Sequence, residues 1–85
     1  MKVTVEHRHI DNGKPWKSCD CPIALAIKET LDENQIVSVG PIRVLTGNTD
    51  NWCYYKLPRV ATDFIDRFDH GKKVEPFTFE MELEI

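Results

Sequence analysis

The chain has 85 residues, 41% of them hydrophobic, and a formal charge of −3. That length makes one domain with one core; the charge argues against general affinity for nucleic-acid phosphate, which scales with the phosphates neutralised; and no run approaches the ~20 apolar residues of a membrane span. The charge is uneven: residues 1–28 carry five basic against three acidic side chains, net +2, and residues 29–85 carry six against eleven, net −5.

Val3, Val5 and His7 alternate with Thr4, Glu6 and Arg8, the period of a half-buried strand rather than a signal peptide. The turn-rich run Asp11-Asn12-Gly13-Lys14-Pro15 ends it. A polar loop, Gly13 to Ser18, then carries Trp16 between Lys14 and Lys17 into the stretch Ser18 to Leu31. There Ser18 or Asp20 can cap a helix start and Pro22 suits the first turn. Ile23, Ile27 and Leu31 share one face, while Ala24, Leu25 and Ala26 leave almost no polar side, so this helix must be covered from more than one direction.

Ile36 to Leu45 is rich in β-branched residues. Gly40-Pro41 interrupts its alternation, after which Ile42 and Val44 continue from the opposite parity, as a bulge or a break between two short strands requires. Thr46 to Asn51 reads as a loop, and Trp52 to Leu57 as a strand forming a hairpin with the preceding one. Leu57, Val60, Ala61, Phe64, Ile65 and Phe68 match an amphipathic helix, with Pro58 at its start and Gly71 at a left-handed exit. Phe77, Phe79, Met81, Leu83 and Ile85 alternate with Thr78, Glu80, Glu82 and Glu84, predicting one final strand with a solvated acidic face. The order strand, helix, strand, strand, helix, strand predicts an α+β domain over residues 1–85. Its expected topology is the ferredoxin-like split β-α-β-β-α-β, an antiparallel sheet with two helices on one face.

The pattern His9-Ile10-x-x-Gly13, Ser18-x-x-Cys21-Pro22-Ile23-Ala24-Leu25-Ala26, Leu57-Pro58, and Phe64-Ile65-x-x-Phe68-Asp69-x-Gly71-x-x-Val74-x-Pro76-Phe77-x-Phe79 resembles a group of small uncharacterised proteins of bacteriophages and prophages. Residues 32–56 match least. The resemblance attaches no activity to any residue. It implies a phage-encoded accessory factor that acts against the host by binding, in the cytoplasm of an infected bacterium.

Cys19, Cys21, His7 and His9 have the atoms of a zinc site. However, the cysteines are separated by one residue, where two let both sulfurs reach one tetrahedron, so thiols buried under the helix are expected instead of a metal. A helix start lowers a thiol pKa, yet the surroundings of Cys21 match no nucleophile motif, and neither enzyme activity nor a cofactor is expected. Two binding readings remain. In the first, Arg8, Lys14 and Lys17, with His9, Ser18 and Cys21 around the helix start, hold the phosphate of a nucleotide-derived signal while Trp16 stacks on its base; the protein is then a sponge, expected to be a homo-oligomer. In the second, Trp52, Tyr54, Asp66, Glu80 and Glu82 form an acidic, aromatic surface that inhibits a host defence or nucleic-acid-handling protein directly. Neither reading involves a membrane or direct nucleic-acid binding.

Overall fold

The alternation of the C-terminal run holds as far as Met81, where the strand changes sheets. In a computed structural model describing residues 1–84, it forms β5 (Phe77–Glu80) and β6 (Glu82–Glu84), separated by the buried Met81. β5 pairs antiparallel with β1 (Lys2–Val5), setting Val3 opposite Phe79 and Val5 opposite Phe77. β6 pairs antiparallel with β4 (Trp52–Lys56) instead. The Met81 N–H and carbonyl both bond to the Met1 backbone at 2.8 Å, so no backbone polar group is orphaned at the switch.

The remaining elements are α1 (His7–Asn12), α2 (Pro22–Lys28), β2 (Ile36–Val39), β3 (Arg43–Gly47) and α3 (Arg59–Asp69). The expected α+β class and antiparallel pairing are found. The single ferredoxin-like sheet is not what forms: the strands divide into a two-stranded sheet, β1-β5, and a four-stranded sheet, β2-β3-β4-β6. The physical reason is the tail. It lies between β1 and β4, occupying the place beside β4 that β1 would take in a split order.

Two local readings also change. His7 and Arg8 do not extend β1; they open α1, whose start is closed by a reciprocal pair in which the Glu6 carboxylate accepts from the His9 N–H and His9 Nδ1 accepts from the Glu6 N–H. Of the two readings of Gly40-Pro41, the break between two short strands is the one that forms: Gly40 to Ile42 is a hairpin turn between β2 and β3 and not a bulge, and Ile42 is exposed. The β3–β4 hairpin forms as expected. Its Gly47 has φ 147°, and a Cβ there would lie 2.0 Å from the Asn51 carbonyl oxygen, so only glycine fits. α3 ends at Gly71, φ 73°, as its sequence predicts.

α2 is buried almost all round. Pro22, Ile23, Ala24, Ala26 and Ile27 are inside, and the helix packs on α1, β1 and β2, tying the two sheets together. Ile23 and Ile27 are fully buried, each contributing roughly 1.5–3 kcal/mol by burial. Below them Phe64, Phe77 and Phe79 stack at centroid distances of 4.8 and 5.3 Å, joining α3 to the two-stranded sheet.

The four-stranded sheet has two unlike faces, since paired residues share a side. Val37, Val39, Val44 and Thr46 face the core. The opposite side carries three rows: Ile36, Gly47 and Trp52; then Ser38, Leu45, Tyr54 and Glu84; then Arg43, Lys56 and Glu82. Among the described residues, no helix is long and apolar enough to cross a membrane.

Candidate functional site

The basic loop before α2 is fastened at three points. The Lys14 N–H donates to the Asp20 carbonyl at 2.9 Å, the Ser18 carbonyl accepts the Val39 N–H at 2.8 Å, and the Trp16 N–H donates to Asp69 Oδ1 at 2.9 Å. These ties draw the loop against the end of β2 and the last turn of α3. Between them lies a cleft of about 280 Å³, walled by Trp16, Lys17, Ser18, Cys21, the Val39–Pro41 turn, Ile65 and Asp69.

Trp16 is held in an unusual state. Its backbone is left-handed, φ 63°, a region that costs a bulky residue about 1–3 kcal/mol. Its ring is 67% exposed and meets His70 edge-on at 5.0 Å, so burial of the indole does not repay the strain. The Asp69 carboxylate, fixed to the Trp16 backbone, is what places the ring at the cleft.

Cys21 lies at the inner wall, buried, its Sγ accepting the Ala24 N–H at 3.5 Å as the N-cap of α2. Burial pushes its thiol above the ordinary value, outweighing the backbone N–H donors of Ala24 and Ile23. The thiol therefore stays protonated at neutral pH and serves as a cap. The expectation of buried thiols holds for Cys21 alone; Cys19 and Cys53 are exposed, and all three are free.

Trp16, Lys17, Ser18 and Cys21 thus meet in one place, and Lys14 belongs to the same loop without lining the cleft. Arg8 and His9 are elsewhere. The Arg8 guanidinium is engaged by Glu29 and by Glu6, its Nη2 lying 2.7 and 2.9 Å from their carboxylates. His9 is buried between α1 and α2, with Nε2 3.0 Å from Glu29 Oε2 though not aligned for a hydrogen bond. Glu6, His9 and Glu29 are close enough to suggest a metal site. Their chemistry argues otherwise. His9 Nδ1 already accepts an N–H, so Nε2 carries the ring proton and has no lone pair to give, while Arg8 is the cation both carboxylates face. Glu29 is held below the usual carboxylate range, chiefly by the hydrogen bond from Arg8.

The acidic, aromatic set is also divided. Trp52, Tyr54 and Glu82 share the outer face of the four-stranded sheet. Asp66 is on α3, 3.4 Å from His70 Nδ1, and Glu80 stands opposite Lys2 in the other sheet.

The residues that sequence reasoning missed at the cleft are the Val39–Pro41 turn, Ile65 and Asp69, because their arrival beside Trp16 depends on how β2 and α3 pack. Asp69 had one signal: a carboxylate in the last turn of a helix opposes the helix dipole and needs a separate reason to be there. Compared with family models, curated proteins and solved structures, the chain matches none.

Proposed function

We propose that the protein sequesters a small ligand bearing a flat nitrogen heterocycle, with a nucleotide-derived signal as the class that fits best. The observation supporting this is the exposed Trp16, held in a left-handed conformation at the mouth of a cleft by Asp69. The heterocycle lies against the indole ring, over a floor of Val39, Pro41 and Ile65. Asp69, an acceptor, takes hydrogen bonds from ring N–H or amino donors. A negative group cannot share the interior with that carboxylate, so the phosphate end points outward, towards Lys17 and Lys14 at the loop.

This narrows the site, removing Arg8 and His9 from ligand contact and adding Asp69 and Ile65. No bond is made or broken in such capture. In the phage setting that the resemblance implies, the protein lowers the free concentration of a host signal, and its cell compartment is the bacterial cytoplasm.

The test uses the fluorescence of Trp16 in a Trp52→Phe background, titrated with AMP, 3′,5′-cyclic AMP, NAD and a cyclic dinucleotide. Saturable quenching by at least one of them, lost in Asp69→Ala, is the expected result. No quenching by any of the four abandons the nucleotide reading.

A further inference from the structure

The outer face of the four-stranded sheet is uncovered, with Ile36 at 52%, Trp52 at 43% and Tyr54 at 48% exposure. We propose that this face is the interface of a homodimer, its occupant a second copy of this chain. The inference is independent of what the Trp16 cleft holds.

The pattern of the face is self-complementary. In β4, Trp52 and Lys56 are each two residues from Tyr54; in β3, Gly47 and Arg43 are each two residues from Leu45. Leu45 and Tyr54 are directly paired. A two-fold axis lying across the strands over that pair therefore places Trp52 of each copy over Lys56 of the other, and Gly47 opposite Arg43. A cation above an indole ring is drawn to its negative face. Leu45 and Tyr54 meet their own counterparts at the centre, where exclusion of water is most complete. Arg43 brings its own counter-ion, Glu84, whose carboxylate lies 3.2 Å from the guanidinium, so the cation is not desolvated alone.

Size fits the same occupant. Four strands and five residues span roughly 19 by 17 Å. With side-chain relief, two such faces bury on the order of 1,000 Å², the lower end for a specific interface and the size class of transient, reversible association.

Sedimentation equilibrium of the whole chain tests this, with far-UV circular dichroism confirming that each variant folds. The expected result is a reversible monomer–dimer equilibrium in which Trp52→Glu and Lys56→Glu each raise the dissociation constant about tenfold or more. The exchanged double variant Trp52→Lys, Lys56→Trp preserves the ring-over-cation contact and restores association. A monomer at every concentration overturns the proposal, as does a dimer that none of these substitutions moves. A monomer whose face instead captures a foreign protein, with capture lost in Tyr54→Glu, also overturns it and assigns the surface to that partner.

Discussion

Asp69 at the end of α3 accepts a hydrogen bond from the backbone N–H of Trp16, 53 residues earlier in the chain, and so decides where the most exposed aromatic ring of the molecule stands. The bond joins the basic loop to the last turn of α3, where the Trp16 ring also meets His70. It also fixes a backbone conformation that tryptophan on its own avoids.

Separating backbone from ring is the first test of that relationship. Trp16→Gly relieves a strain of about 1 kcal/mol while keeping the N–H that Asp69 accepts. Its thermal midpoint is expected to equal or exceed that of the wild type, and ligand binding to disappear. Asp69→Ala removes the acceptor and is expected to lower stability by about 1–2 kcal/mol in urea unfolding. A lower midpoint for Trp16→Gly means that the indole, not the loop backbone, is what the fold uses.

Ile27→Ala probes the role of α2 as the tie between the sheets. The side chain is fully buried, with α1, β1 and β2 around the helix, so the cavity left behind is expected to cost about 2–5 kcal/mol. The same change at Ile42, exposed in the β2–β3 turn, is expected to fall within about 0.5 kcal/mol of the wild type by the same unfolding measurement.

The Arg8–Glu29–His9 contact between α1 and α2 predicts a pH dependence. A carboxyl whose folded pKa is depressed stabilises the protein above its unfolded value of about 4.3, and that contribution fades as pH falls through the folded pKa. Glu29→Gln is therefore expected to melt below the wild type at neutral pH, with the difference closing towards pH ~3. Since Glu29 is 44% exposed, the gap is small and shrinks with added salt. Melting curves by circular dichroism across that range are the check, and a gap that widens on acidification contradicts the assignment.

Much of this architecture is legible in one dimension. The spacing from Leu57 to Phe68 fixes α3 within two residues at its start, and the apolar run after Pro22 demands the multi-sided burial that α2 shows. α1 escapes because its capping pair reverses the usual residue types, with a glutamate at the N-cap and a histidine at N3. The tail reads as one strand because the sequence alternates unbroken through Met81; which strand it pairs with is a long-range choice that no local pattern records. The cleft divides the same way. Trp16, Lys17, Ser18 and Cys21 are near neighbours in sequence, and their proximity needed only a helix start, whereas Asp69, Ile65 and the Val39–Pro41 turn come from two other elements. Arg8 reads as available in sequence because its partner Glu29 lies 21 residues away.

The most direct test of ligand capture is isothermal titration calorimetry of the wild type, Trp16→Gly and Lys17→Glu against the nucleotide giving the strongest Trp16 quenching. Saturable heat in the wild type, no heat in Trp16→Gly, and affinity weakened about tenfold in Lys17→Glu are expected, the last equivalent to about 1.4 kcal/mol. Equal binding by all three proteins would contradict the account, because it would place the ligand somewhere other than the cleft.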